Sequence, residues 1–288
     1  MEKRGPGGWP FADVALARRL EGAEGRANVE SVAARARLSP ERGAVWTEIA
    51  GAWAMFDGVD SPLTQTFGLG LFGDVGSEEL ALIEAFYAGR GAPVFHEVSP
   101  LAEQALFRLL HGRGYEPFEF TTVLFRSIEP TGGAQSVVDG AVSARDADGR
   151  GANVKVSVAG PDAHEVWTMT AAEGWSEYPE LAGFMQDIGR VTVERAGAHC
   201  FLATLGGEPA GTGVLSIHGG VGLLAGASTV PSARRNGVQT ALLDARLRFA
   251  AEQGCDIAMM GASPGSASQR NAERNGFRVA YTRLKWKL

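Results

Sequence analysis

Residues 221–230, VGLLAGASTV, form an unbroken apolar stretch bounded by glycine and proline, which predicts a buried strand. After it, Leu242, Leu243, Leu247, Phe249 and Ala250 recur at helical spacing, with Asp244, Arg246 and Arg248 between them, which predicts a helix. The first half of the chain carries similar patterns. Residues 62–73, PLTQTFGLGLFG, alternate like a strand, and 77–91, SEELALIEAFYAGRG, read as an amphipathic helix with acidic residues in its first turn. PVFHEV (93–98) predicts a strand and SPLAEQALFRLLHGRG (99–114) a helix capped by Ser99 with Pro100 next. YEPFEFTTVLFRSI (115–128) predicts a further strand.

The link between strand and helix at 230–243, VPSARRNGVQTALL, sets two arginines and a glycine at a helix N-terminus. Unpaired backbone N–H groups and the helix dipole favour an anion there. Arg234 and Arg235 suit charge-assisted hydrogen bonds to phosphate oxygens, and Gly237 permits close backbone approach. The loop has neither the Gly-Lys-Ser/Thr ending of a P-loop nor a GxGxxG fingerprint.

This stretch resembles the acetyl-CoA-binding motif of the GNAT superfamily of N-acetyltransferases, Gln/Arg-x-x-Gly-x-Gly/Ala. Arg234 and Gly237 match it, and Gln239 stands where the small residue is usual. CDIAMMGA (255–262) looks like the family's next strand, and SASQRNAERNGFRVAYTRLKW (266–286) like its last helix and strand. The similarity covers roughly residues 153–288 and implies an acyltransferase with acetyl-CoA as co-substrate. It also implies that Ala227, Ser228 and Thr229 offer backbone amides to the pantetheine arm and thioester carbonyl. Arg234, Arg235, Asn236, Gly237, Val238, Gln239 and Thr240 then cradle the pyrophosphate. Ser266 and Ser268 stand in the family's Asn-x-x-Ala positions, as partners of the pantetheine arm or as helix-capping residues.

For the proton transfers the resemblance gives less. No carboxylate occupies HGGVGLL, where relatives carry a glutamate, so His218 is the candidate base, against the plainer reading of an exposed turn histidine. Ala272 replaces the family's tyrosine, which leaves Tyr281 as the candidate acid if its hydroxyl reaches the cleft. Glu173, Glu177 and Glu180, in AAEGWSEYPE, fall in the family's acceptor wall. They take the proton, bind a cationic substrate, or are simply solvated.

The chain also repeats itself. Gly91 precedes Gly254 by 163 positions and Gly114 precedes Gly276 by 162, an offset held across strand, helix, strand, helix, strand. At the place of the arginine loop the first copy reads GDVGSEEL, so Asp74, Glu78 and Glu79 would repel a pyrophosphate. A tandem form with a degenerate first copy, similar to mycothiol synthase in architecture, follows. The expected fold is α/β (α+β): two GNAT-like domains, each a mixed, mostly antiparallel sheet flanked by helices. Residues 1–130 form the degenerate copy, 131–152, rich in Gly, Ala, Ser and Asp, a linker, and 153–288 the acetyl-CoA-binding domain.

Composition adds exclusions. The 288 residues are 45% hydrophobic and 21% charged, ample for two soluble domains. A net charge of −6 argues against a nucleic-acid coat, and the charged residues among the first apolar positions argue against a signal peptide. No apolar run reaches membrane length. Two cysteines, Cys200 and Cys255, in apolar surroundings, read as reduced core residues and point to the cytoplasm. The five histidines make no metal-ligand spacing, and no Gly-x-Ser-x-Gly elbow occurs, so direct transfer in a ternary complex is expected over an acyl-enzyme. The expected partners are a small-molecule amine or peptide acceptor, with no nucleic acid and no membrane, and the protein a monomer or homodimer. The rival reading is an acyl-CoA-binding regulatory pseudo-enzyme.

Overall fold

The last strand of the chain pairs with two strands from its first half. The computed structural model describes residues 9–129, 140–141, 144–145 and 151–288. They gather into two compact units, Met1–Ser127 with Met259–Leu288, and Ile128–Ala258. The expected boundary near residue 130 thus lies beside a unit boundary, whereas the segment from Met259 onward, expected with the second copy, packs into the first unit. Most of the expected linker, 131–152, lies outside the described residues.

The first unit begins with α1 (Val14–Leu38), whose N-cap Asp13 accepts from the Leu16 N–H at 3.0 Å. A hairpin of β1 (Val45–Ile49) and β2 (Ala52–Phe56) follows, then β3 (Gln65–Phe67), α2 (Ser77–Ala88), β4 (Phe95–Val98), α3 (Gln104–Gly112) and β5 (Glu116–Ser127). β2 is buried on both faces, which is why AWAMF is wholly apolar rather than alternating. Ala52, Ala54 and Phe56 join Leu80, Ile83, Leu106 and Leu110 of α2 and α3, while Trp53 and Met55 join Val29 and Val32 of α1.

Two sequence expectations need correction here. The strand expected over 62–73 is confined to Gln65–Phe67, because Gly68 and Gly70 take φ of +79° and +70° and turn the chain away from the sheet. The helix expected from Ser99 starts at Gln104 instead. Ser99 accepts from the Leu101 N–H in a turn of its own, and Glu103 is extended.

The second unit contains β9 (Val154–Val158), α4 (His164–Glu173), α5 (Ala182–Glu194), β10 (Ala198–Leu205), β11 (Glu208–His218), β12 (Val221–Thr229) and α6 (Val238–Glu252). Short ladders β6 (Gly140–Ala141), β7 (Ala144–Arg145) and β8 (Gly151–Ala152) precede them. The order β12-β11-β10-β9-β6 is antiparallel throughout. α4 packs Trp167 and Ala171 against Cys200 and Val214.

The remaining elements are β13 (Ile257–Ala262), α7 (Ala267–Arg274) and β14 (Arg278–Lys287). In the first unit β14 lies between β4 and β5, antiparallel to both, giving the order β1-β2-β3-β4-β14-β5. It carries Arg283, almost wholly buried, into ion pairs with Glu21 at 3.1 Å, Glu24 at 2.9 Å and Glu97 at 2.9 Å. Burial pushes Glu21 up to about 7 against the pull of Arg283.

Repetition shows in local detail. The succession α2, β4, α3, β5 recurs as α6, β13, α7, β14. The Ala92 N–H bonds to the Tyr87 carbonyl at 3.1 Å, as Cys255 does to Ala250 at 2.9 Å. Tyr115 bonds to Leu110 at 3.0 Å, as Phe277 does to Ala272 at 3.1 Å. Gly91, Gly114, Gly254 and Gly276 all take the left-handed conformation that closes such helix ends.

Candidate functional site

β12 is interrupted where it approaches the arginine loop. Its pairing with β11 runs regularly from Val221 to Ala225, then shifts, so that Gly226 and Ala227 together stand opposite Gly213. Gly226 takes φ +56°, which makes this a bulge that re-aims the strand end. Arg246 of α6, nearly buried, sits beneath it. Its Nη1 donates to the carbonyls of Val214 and Ala225, each at 3.3 Å, and its Nε to Leu242. The sequence pattern placed Arg246 on the polar side of the helix; it is instead the buried donor that satisfies the carbonyls of the opened ladder.

Past the bulge, a short turn at Pro231–Ala233 leads into the loop. Arg235 takes φ +64° and Gly237 φ +77°, ψ 1°, as the N-cap of α6. Left-handed residues near a helix start turn successive N–H groups inward as an anion nest. The Ala241 N–H bonds to the Gly237 carbonyl at 2.9 Å, so by helix geometry the N–H groups of residues 238–240 find no partner inside α6. No acidic residue occupies its first turn. Arg235 is exposed and makes no ion pair among the described residues.

A cavity of about 710 Å³ opens over this nest. Ala227, Ser228 and Thr229 line one side, and Arg234, Arg235, Gly237, Val238, Gln239 and Thr240 its base. Asn236 is not among the lining residues; its side-chain amide donates to the Arg234 carbonyl at 3.1 Å and braces the loop. The opposite wall is the segment after α4, with Gly174, Trp175, Glu177 and Tyr178. Glu177 is ion-paired with Arg234 at 2.5 Å, and Arg234 also donates to the Gly174 carbonyl at 3.2 Å. Ser228 donates to the Ala171 carbonyl at 2.9 Å, tying β12 to the end of α4.

The other expected residues are not among those lining the cavity. Glu173 is exposed at the end of α4 and does not line the cavity. His218 pairs with Val221 at the far end of β11, whereas the lining residues Ser228 and Thr229 face Thr212 and Gly211. Six residues of strand, at about 3.3 Å each, separate His218 from Thr212 by roughly 20 Å. Tyr281 donates its hydroxyl to Glu21 at 2.8 Å in the first unit, and burial drives its pKa far above the phenol range. Ser266 is the N-cap of α7, accepting from Gln269 at 3.1 Å, and Ser268 sits in that helix's first turn. Trp175 and Tyr178 are lining residues the sequence reading passed over, although they stand among the glutamates it singled out.

The corresponding helix start in the first unit is built differently. Glu79 folds back so that its carboxylate accepts from the Gly76 N–H at 2.8 Å, and these backbone hydrogen bonds lower its pKa. The amide end of α2 thus already holds an anion, one supplied by the chain itself. A cavity of about 240 Å³ beside it is lined in part by Asp74 and Glu103.

Among the described residues no helix is long and apolar enough to cross a membrane, and no cluster of His, Cys, Asp and Glu has the arrangement of a metal site. Comparison with curated proteins gave no match. In fold, the chain is similar to a GCN5-related N-acetyltransferase from Kribbella flavida, at 16% identity and TM-score 0.56, covering 90% of this chain and 95% of that one. It is also similar to a GCN5-related N-acetyltransferase from Sphaerobacter thermophilus, at 15% identity and TM-score 0.52, covering 78% and 71%. A tandem GNAT protein from the clavulanic acid biosynthesis pathway is similar at 12% identity and TM-score 0.53, covering 82% and 78%. The profile of the Acetyltransferase (GNAT) family matches residues 161–277, which include β12, the arginine loop and α6. Over that segment the chain is similar to the GNAT family, and its fold is shared with solved GNAT proteins.

Proposed function

We propose that this protein moves the acetyl group of acetyl-CoA to a primary amine of a small molecule or peptide, by direct attack in a ternary complex. One observation carries the reading: the bulged end of β12, the left-handed arginine loop and the free amide end of α6 converge on one cavity. The loop suits a pyrophosphate because donors surround the space and no carboxylate occupies the helix start. Backbone amides over 227–229 suit the thioester, whose carbonyl oxygen gains negative charge during attack.

Glu177, the carboxylate among the lining residues, takes a proton from the acceptor ammonium, and the freed lone pair attacks the thioester carbon. The carbon–sulfur bond breaks toward sulfur, and Tyr178, a residue of the same wall, protonates the thiolate in place of Tyr281. Ser228 is no nucleophile here, since its hydroxyl is buried and donates to Ala171, which supports transfer without an acyl-enzyme. Two buried free thiols accord with a cytoplasmic protein, and nothing in the cavity's lining requires more than a monomer or homodimer.

A second reading, a non-catalytic acyl-CoA-binding module, has one observation in its favour: neither His218 nor Tyr281 lines the cavity. Release of free thiol from acetyl-CoA in the presence of a panel of primary amines separates the two. Coenzyme binding with no amine-dependent thiol release rejects the transferase reading.

A further inference from the structure

The ion pair between Arg234 and Glu177 joins the coenzyme side of the cavity to its opposite wall. Both side chains are about half exposed, at 42% and 54%, so the pair is weak and open to exchange. Arg234 is also the arginine at the mouth of the anion nest, three residues before Gly237 in left-handed conformation and beside Arg235. A pyrophosphate entering the nest competes with Glu177 for the same guanidinium. It offers more negative charge and bidentate geometry, so the exchange favours the phosphate.

We propose that coenzyme binding breaks this pair and releases Glu177 as the anchor for a cationic acceptor, an amine carried on an apolar or aromatic body. The inference rests on the acetyltransferase reading above and adds to it the class of acceptor and the device that couples the two sites. The wall that holds Glu177 also presents Trp175 and Tyr178, 38% and 51% exposed, with ring centroids 6.1 Å apart. An ammonium held by a carboxylate beside two open aromatic faces is stabilised by charge and by cation–π attraction. Its apolar body meets the rings. In the free protein the carboxylate is spent on Arg234, so the wall's affinity for the cation is low. With phosphate on Arg234, the carboxylate is unpaired and the cavity carries added negative charge. Each ligand therefore strengthens the other's binding, by the same factor in both directions.

The test is calorimetric and needs no turnover. Coenzyme A and phenethylamine are titrated singly and together into the full chain, its Glu177→Ala variant and its Glu177→Gln variant, with glucosamine as a polar amine for contrast. In the wild-type protein coenzyme A tightens phenethylamine binding roughly three- to tenfold, and glucosamine binds more weakly than phenethylamine. Glu177→Ala binds coenzyme A about two- to fivefold more tightly than wild type, since the competing carboxylate is gone, and loses most of the coupling. Glu177→Gln, which keeps the shape but not the charge, falls on the same side. Coenzyme affinity unchanged or weaker in both variants, or coupling of wild-type size in both, overturns the proposal. A wild-type protein that binds no coenzyme A at all fails earlier, and that failure belongs to the acetyltransferase reading itself.

Discussion

Replacing Gly174 by alanine puts a methyl group where there is no room for one. An ideal Cβ at Gly174 lies 1.7 Å from Ser228 Oγ, 3.0 Å from Ser228 Cβ and 3.1 Å from the Thr229 backbone nitrogen. The backbone there is ordinary, with φ −60° and ψ −15°, so the cost is one of packing and not of conformation. Turning the Ser228 hydroxyl aside gives up its buried bond to Ala171, about 1 kcal/mol. Two tight contacts then remain, one of them with backbone, and relieving them by shifting α4 from β12 adds about 1–3 kcal/mol. We expect Gly174→Ala to lower stability by about 2–4 kcal/mol and to weaken coenzyme A binding, because the displaced strand end carries the lining residues 227–229. Ser228→Ala alone costs about 1 kcal/mol. The double variant should recover about 1–2 kcal/mol relative to the sum of the singles, since the shortest contact has gone. Urea unfolding of the four proteins measures this directly. Strict additivity of the two substitutions, or a Gly174→Ala protein as stable as wild type, refutes the argument that α4 and β12 are locked at this point.

Three more outcomes follow from the same structure. Gly237→Val places a β-branched residue at φ +77°; it should abolish detectable acetyl-CoA binding by calorimetry in a folded protein, whereas Arg234→Ala and Arg235→Ala weaken it about ten- to a hundredfold. Binding retained in a folded Gly237→Val protein places the coenzyme elsewhere. Because Glu79 already occupies the amide end of α2, titration should give one coenzyme A per chain, and a stoichiometry of two would refute the closed first copy. His96 is fully buried, neither ring nitrogen has a hydrogen-bond partner among the described residues, and burial lowers its pKa from 6.5 to about 3. The unfolded chain therefore takes up a proton that the native state refuses, and this residue's contribution is lost as pH falls from about 6.5 toward 3. Glu21, raised from 4.5 to about 7, acts in the opposite sense, its contribution being lost as pH rises through that window. The stability difference between His96→Phe and wild type should accordingly grow in favour of the variant below pH 6.5, by up to about 1.4 kcal/mol per pH unit; a difference that does not change with pH rejects the assignment.

Much of this site was legible because its chemistry is local. Strand, loop and helix from Val221 to Glu252 are consecutive, and the left-handed residues that shape the nest include a glycine visible as such. What sequence reading missed depends on distant partners. Helix α1 went unread because its buried face includes Glu21 and Arg35, made tolerable there by Arg283 and Asp57 from far along the chain. Arg246 looked like a surface residue because the carbonyls it serves are exposed by a bulge in other strands. Tyr281 was a candidate only if its hydroxyl reached the cleft; its strand pairs with β4 and β5, and the hydroxyl is bonded to Glu21 of α1.

That pairing also governs how the protein comes to be folded. During synthesis β14 leaves the ribosome after every other strand of its sheet, yet it belongs between β4 and β5, and Arg283 meets Glu97 across 186 residues of chain. Until then the carboxylates of Glu21, Glu24 and Glu97 face one another without their cation, and two inner strand edges are open. Contacts so distant in sequence make for slow closure and a long-lived intermediate with exposed edges. Slow refolding, and sensitivity to any fusion that delays insertion of the last strand, are therefore expected of the first unit and not of the second.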